Sequence, residues 1–455
     1  MTDSERSIPP IATPDNASDA PALQRSLGRW DLTAIGVNQV LGAAIFLMPS
    51  QIAAQIGGWS ALAFILAGLA SLCVALCFAE VGSRFDRTGG PYVYTRAAFG
   101  RFVAFEVGWM QWFTRVTSQA SIVSGIPVAL GHYWPVLRAG APRASIIIAI
   151  TAALAWVNFR GIRQSAWVVN TFTIGKLLPL AVFIVVGVHF LAPERFVDLP
   201  QLAPEQVATA GLLLIFTYGG FDVIGVPSGE AADPRRHLPV AFFWTIVTVA
   251  VVMTLCQLVT MSVLPNLATA ATPVADAAGL MMGPLGATLI AVGSVVSMTG
   301  NNMGQILTGS RMLFALAEHG ELPRFLSRVH PQYRTPSNAI WFTTAVALAL
   351  ALTGSFVVLA VVSAVARLVT YAGVAGATLQ LRRAKHATLV QPPTYRTPFG
   401  PVVPCVALLV SLAILAGASQ KQLLGGLLAL LAGGALFVLR GIGNADRVAR
   451  HDGIN

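Results

Sequence analysis

Gly42-Ala43-Ala44-Ile45-Phe46 and Tyr218-Gly219-Gly220-Phe221-Asp222 are the stretches that decide the fold of this 455-residue chain. Each lies inside an apolar segment and interrupts it with small residues where a membrane helix should run unbroken. A break at mid-membrane leaves backbone N–H and C=O groups without helical partners. Lipid cannot satisfy them, so such breaks persist only where they line a cavity. Paired breaks in corresponding places point to the binding site of a transporter.

The rest of the chain fits that reading. With 55% hydrophobic residues, 11% charged residues and a mean hydropathy of +0.70, it has too little polar surface to cover a soluble globule. A span needs about 20 apolar residues. About twelve segments qualify, near residues 31–54, 59–83, 102–130, 143–159, 166–191, 207–230, 239–263, 280–316, 338–354, 356–381, 402–418 and 423–440. The expected fold is an all-α polytopic membrane protein. Because the breaks fall in the first and sixth spans, it divides into two five-span halves of inverted topology plus two terminal spans. The expected domains are a tail over residues 1–27, a transmembrane domain over 28–440 and a C-terminal tail over 441–455. Within the transmembrane domain, 28–191 and 207–382 are the repeats and 400–440 the terminal pair.

Residues 1–27 are rich in Pro, Ser, Asp and Ala without an apolar core, which predicts a disordered tail that is not a signal peptide and stays in the cytoplasm. Alternating spans then put Arg84, Arg87, Arg96, Arg101, Arg160, Arg163, Arg235 and Arg236 on the cytoplasmic side. The basic residues from Arg311 to Arg450, apart from Arg367 and Lys421, join them. The opposite side keeps Arg138, Arg143, Arg195 and Lys421. This asymmetry predicts an even number of spans in the cell membrane with both termini cytoplasmic. It also accounts for the net charge of +10, which in a soluble chain could suggest nucleic acid. Cys73, Cys77, Cys256 and Cys405 all sit in apolar segments and read as buried free thiols rather than disulfides or metal ligands. The loop Gly89-Gly90-Pro91-Tyr92-Val93-Tyr94 reads as a short interfacial helix or as an ordinary loop.

Five stretches together resemble the amino acid-polyamine-organocation (APC) permeases. Leu41-Gly42-Ala43-Ala44-Ile45-Phe46-Leu47-Met48-Pro49 is similar to that family's first-span signature Gly-Ser-Gly-Ile-Phe. The others are Gly89 to Tyr94, Asn158-Phe159-Arg160-Gly161-Ile162-Arg163, Tyr218 to Asp222 with Gly229-Glu230-Ala231-Ala232-Asp233-Pro234-Arg235-Arg236, and Ser310-Arg311-Met312-Leu313-Phe314-Ala315. The resemblance covers about residues 28 to 440. It implies the LeuT-type inverted repeat and secondary transport of amino acids or related amines.

The N–H groups freed around Gly42, Ala43 and Ala44, with the positive end of the following half-helix, form a cradle for a carboxylate; a simple kink is the plainer reading. The resemblance implies that the cradle holds the substrate's α-carboxylate. Ala43 stands where the family has Ser and Ala44 where it has the second Gly, so a hydroxyl is lost and a methyl projects toward the ligand. In the sixth span, Tyr218 and Gly219-Gly220 permit unwinding whose freed carbonyls would face an ammonium group. Phe221 resembles the aromatic gate that closes from outside, or else it packs as an ordinary core residue. Asp222, a carboxylate inside a span, calls for a partner, a cavity or a proton path.

Lys176 lies about ten residues into the fifth span, roughly 15 Å deep. The resemblance places it where sodium-coupled relatives bind an ion, which implies a bridge from the first span to the eighth and no sodium requirement. Reversible proton release and a fixed structural cation are its two readings. Ser294 and Ser297 share a face of the eighth span and are candidates for that coupling site, while Asn301 and Asn302 also lie there; interhelical hydrogen bonding is the plainer role. In the third span Glu106, Thr114, Arg115, Thr117 and Ser118 form a polar patch. Where the cationic amino acid branch carries an acid, this chain has Thr114, and Arg115 adds positive charge. A pocket for Lys-type or Arg-type side chains is therefore disfavoured there, and Thr114 is the pocket candidate. Arg367 is a buried cation with Asp222 or Glu106 as possible partner. Asn38 and Gln39 either reach the substrate or bond a neighbouring helix. Arg29-Trp30 resembles the inner-gate anchor of the fold, with Glu80, Glu230 and Glu318 near the same side.

The expected function is a permease for an amino acid or related amine working by alternating access, sodium-independent and coupled to protons as a symporter. Exchange, a polyamine or organic cation carrier, and a sensor with little transport are the alternatives. The seven histidines show no metal-ligand spacing and no nucleophile converges with a base, which disfavours an enzyme, a metal or another cofactor.

Overall fold

The computed structural model describes residues 27–86, 89–161, 166–196, 199–226, 228, 231–383 and 390–452. The tail before residue 27, Ile162 and Arg163, Gly229 and Glu230, Arg87 and Lys385 lie outside the described residues. Apart from one backbone bridge between Leu27 and Ala231, the regular structure among the described residues is helical. Seven helical stretches are long and apolar enough to cross a membrane, and Gly175–Phe190, Ser337–Thr353 and Val402–Gly417 are shorter apolar helices. The expected all-α polytopic membrane fold is the one observed.

The first apolar segment is two helices, α1 (Arg29–Val40) and α2 (Ala44–Ile56), followed by α3 (Ser60–Gly82). A short helix, α4 (Pro91–Phe99), precedes α5 (Arg101–Leu130), α6 (Gly140–Arg160) and α7 (Ala166–Gly187). Thus the Gly89 to Tyr94 stretch is helical where it follows Pro91, with Tyr92 and Tyr94 buried. The second half opens on α8 (Pro204–Thr217), then a break and a 3₁₀ turn over Phe221–Gly225. It continues through α9 (Pro234–Val263), α10 (Pro273–Glu318), α11 (Ser337–Thr353) and α12 (Phe356–Leu381), and α13 (Val402–Gly417) and α14 (Gln420–Asp452) close the chain. Two boundaries differ from expectation. The eighth segment begins earlier, at Pro273, because a kink at Gly283 (φ 68°) joins a preceding helical piece to it. The last helix continues to Asp452 instead of giving way to a tail near residue 440.

Packing relates the halves. α3 packs on α9, α5 on α10 and α6 on α11, each helix meeting its counterpart, while α5 on α12 is mirrored by α10 on α7. The first five spans and the next five thus meet in corresponding pairs. α5 is 30 residues long yet is not among the lipid-compatible stretches, because it is buried nearly all round and needs no lipid-facing apolar surface.

Contacts also sort the loops into two ends. Arg101 pairs with Glu321, Arg382 with Glu80, and Arg235 donates to Ser83 O and Pro392 O, which gathers the Arg-rich loops together. Trp59 to Pro200 O, Tyr133 to Thr288, and Arg143 to the Ala351 and Gly354 carbonyls gather the Arg-poor loops at the other end. None of the four cysteines is in a disulfide; Cys77 and Cys256 are buried and Cys73 partly so, but Cys405 is exposed, since its face of α13 looks outward.

Candidate functional site

The first break turns the end of α1 into an acceptor site. Leu41 N still donates to Val37 O, but Gly42 N turns back to Val40 O at 2.8 Å and the helix ends. The last carbonyls of a helix have no internal donor, and here other helices supply it. Lys176 Nζ on α7 donates to Asn38 O at 2.9 Å and Leu41 O at 3.0 Å. From α10, Ser297 Oγ donates to Leu41 O at 2.9 Å, and Asn301 Nδ2 donates to Gln39 O at 2.6 Å. Gln39 Nε2 returns to Asn301 Oδ1 at 3.4 Å. Gly42 makes this approach possible, because a Cβ there would come within 2.7 Å of Asn301 Nδ2. Across the gap, Phe46 N and Leu47 N donate to Ala43 O. The N–H groups of Ala44 and Ile45 open the first turn of α2, where a helix provides no acceptor.

The second break lies against the first. Gly220 adopts φ 129°, a left-handed conformation, and a Cβ on it would stand 2.7 Å from Gln39 O and 3.2 Å from Val40 Cα. A side chain is therefore excluded twice, by dihedral and by space. The neighbouring Gly219 lies beneath the Arg367 guanidinium, into which its Cβ would project.

Asp222, just past this break, is buried between two arginines. Arg367 Nη1 of α12 donates to Asp222 Oδ1 at 2.8 Å, and Arg115 of α5 pairs with Asp222 Oδ2. Arg367 Nη2 donates to Ser118 Oγ at 3.1 Å, and Ser118 shares a hydrogen bond with Ser363 at 2.7 Å. Arg115 Nη1 reaches Gln305 Oε1 at 3.4 Å, and Gln305 Nε2 donates to Asn301 Oδ1 at 3.2 Å. One continuous polar network thus runs from the first break through α10 and α5 to the second break and α12.

Several expected site residues turn their side chains to other partners. The Tyr218 hydroxyl donates to Phe64 O on α3 at 2.8 Å, so only its backbone belongs to the break. Thr114 Oγ1 bonds its own helix at Met110 O and Ser294 Oγ bonds Ala291 O, leaving Ser297 as the α10 hydroxyl that reaches the break. Phe221 follows the break on the Arg-rich side, stacked on Tyr371 with centroids 5.3 Å apart and edge-on to Phe78. A gate closing from the opposite side needs a ring before the break, and Phe216, edge-on to Phe356 at 6.0 Å, occupies that place. The reason is direction: α8 descends from the Arg-poor end, so residues after Gly220 lie beyond the centre. Arg29 stacks over Trp30, which is 57% exposed and packs on Trp244, so the pair lies on the outside of α1. Glu106 is no partner of Arg367; its carboxylate rests against Gly433 of α14.

Other residues tie the Arg-rich end together. The buried Glu80 carboxylate accepts from Arg382 at 2.7 and 2.5 Å and from Thr397 N at 2.8 Å. Leu27 O, ahead of α1, accepts from Ala232 N, tying the two broken spans together below their breaks.

Gln305, Ser363 and Tyr371 were not singled out by sequence, although a signal existed. Ser297, Asn301 and Gln305 recur every four residues on α10, and Ser363, Arg367 and Tyr371 do so on α12, each forming one polar stripe in an apolar helix. Among the described residues no three His, Cys, Asp or Glu side chains come together to hold a metal ion.

Comparison with known proteins places this architecture. The family model described as amino acid permease matches residues 27–424. The chain is 28% identical to a methylthioribose transporter of Bacillus subtilis (strain 168) over 419 residues, covering 88% of this chain and 89% of the relative. It is 27% identical to the branched-chain amino acid permease BcaP of the same organism, covering 92% and 93%. With the serine/threonine exchanger SteT, also of Bacillus subtilis, it shares 29% identity, covering 72% and 77%.

Proposed function

The chain belongs to the amino acid permease family, and from that premise we propose that it moves an amino acid or related amine across the cytoplasmic membrane by alternating access, driven by protons without sodium. It is a transporter and not an enzyme. The observation that carries the finer reading is Lys176 on the Asn38 and Leu41 carbonyls. An ammonium group fills the acceptor cage that a cation would otherwise need to fill, so no sodium ion is required to hold the first break open.

The substrate's α-carboxylate takes the Ala44 and Ile45 N–H groups at the start of α2, where the helix dipole also favours an anion. Its amino group faces backbone carbonyls of the two breaks. Phe216 against Phe356 closes the Arg-poor side. Opening on the other side separates Leu27 from Ala232 and releases the Glu80–Arg382 clasp. Both ends of the chain then lie in the cytoplasm, following the arginine bias.

Reconstituted protein tests this directly. Uptake of labelled amino acid into proteoliposomes should follow an inside-alkaline pH gradient and persist when choline replaces sodium. A strict sodium requirement would overturn the role given to Lys176. Flux only in the presence of substrate on both sides would favour exchange, the second reading, which the likeness to a serine/threonine exchanger supports. Binding without flux would make the protein a sensor.

A further inference from the structure

The centre of the molecule buries more positive than negative charge. Arg115, Lys176 and Arg367 are each at most 2% exposed, and Asp222 is the buried carboxylate among them. Glu80 and Glu321 are engaged by Arg382 and Arg101 at the Arg-rich end, and the Glu106 carboxylate, also buried, lies apart against Gly433 of α14. Even with Lys176 neutral, two arginines share one acid. Guanidinium groups stay charged in proteins, and an uncompensated charge inside a membrane domain is costly.

Arg367 uses Nη1 on Asp222 and Nη2 on Ser118, while its Nε is buried without a hydrogen-bond partner. That free edge lies against Gly219, and the adjoining Gly220 touches the Gln39–Val40 backbone of the first break. Arg367 thus lies against the second break, which itself abuts the first, so it stands beside the place where the substrate would be held.

Resting on the reading of the paired breaks as the substrate site, we propose that the substrate is an acidic amino acid, whose side-chain carboxylate is received by the free Nε edge of Arg367 with Arg115 reinforcing the positive field. The bound side chain would supply the second negative charge that the two arginines require, and Ser118, fixed by Ser363, holds Arg367 at the angle that leaves Nε open. A cationic side chain is repelled by the same pair.

The test is competition for binding to the purified full-length protein in nanodiscs, read as thermal stabilisation and by displacement of labelled L-glutamate, with L-aspartate, L-glutamine, L-leucine and L-lysine as competitors. Glutamate or aspartate should bind about tenfold or more tightly than glutamine, the discrimination expected of one charge-assisted contact. Arg367→Gln should bring that ratio near one. Ser118→Ala keeps every charge and should reduce the ratio partway, whereas a general loss of the pocket would lower the affinity for glutamate and glutamine alike and leave the ratio unchanged. Glutamine or leucine matching glutamate on the unmutated protein would overturn the acidic class while leaving the permease reading standing. No stabilisation or binding by any of the five would overturn both.

Discussion

Lys176 finds its two acceptors only because α1 stops at Val40, so its role is tied to the break itself. Lys176→Met leaves the Asn38 carbonyl without that donor and the Leu41 carbonyl with Ser297 alone. Losing a buried hydrogen-bond partner costs about 1–3 kcal/mol. The expected result is a lower thermal unfolding midpoint and loss of pH-driven accumulation in proteoliposomes. Asp222 makes a sharper test, because it compensates two guanidiniums. Asp222→Asn should destabilise by about 3–5 kcal/mol, the range for breaking a buried ion pair. Combining it with Arg367→Gln should restore part of that loss, since one cation then remains unpaired in place of two. A double-mutant cycle on unfolding midpoints measures the coupling. The presence of a charged residue at 176, 222 and 367 could be read from the sequence, because charges in apolar runs stand out. For Arg367 the sequence offered Asp222 and Glu106 alike and did not offer Arg115 as the second partner of Asp222, since these groups come from helices more than a hundred positions apart.

Among helices, the contact between the two breaks is a backbone contact, and glycine decides it. Gly220→Ala forces a methyl group toward Gln39 O and demands a positive φ from a residue with a Cβ. Transport should fall to background, and stability should fall with it. Gly211→Ala on α8 meets Ile414 at an ordinary 3.6 Å and should leave both unchanged, which makes it the control. The positions of both breaks were legible in local composition. The side of the break on which each aromatic ring falls was not, because it follows from the direction in which α8 runs. Phe221 therefore joined the Phe78, Phe242 and Tyr371 cluster and left the opposite side to Phe216.

Taken whole, the molecule is tied together at its Arg-rich end through Glu80, which holds Arg382 and Thr397 together. Glu80→Gln weakens the clasp and should bias the carrier toward opening at that end. In a background without the four native cysteines, a cysteine at the buried Ser228 should then react faster with a membrane-permeant maleimide. Sidedness has its own test. Cysteines placed at Gln201 and at Arg328 should label from outside and inside the cell respectively, as the arginine bias requires.

By itself the sequence determined that this chain lives in a membrane, where its first and sixth spans break, and which loops share an end. These are local properties: apolar length, small residues and loop charge act through the nearest lipid and water. Tertiary structure decided which carbonyls Lys176 caps, that Asp222 and not Glu106 meets Arg367 and is divided between it and Arg115, and that the buried Arg367 Nε is left without an acceptor. Helical periodicity assigns a side chain to a face, whereas the crossing of helices from both halves determines which neighbour that face meets.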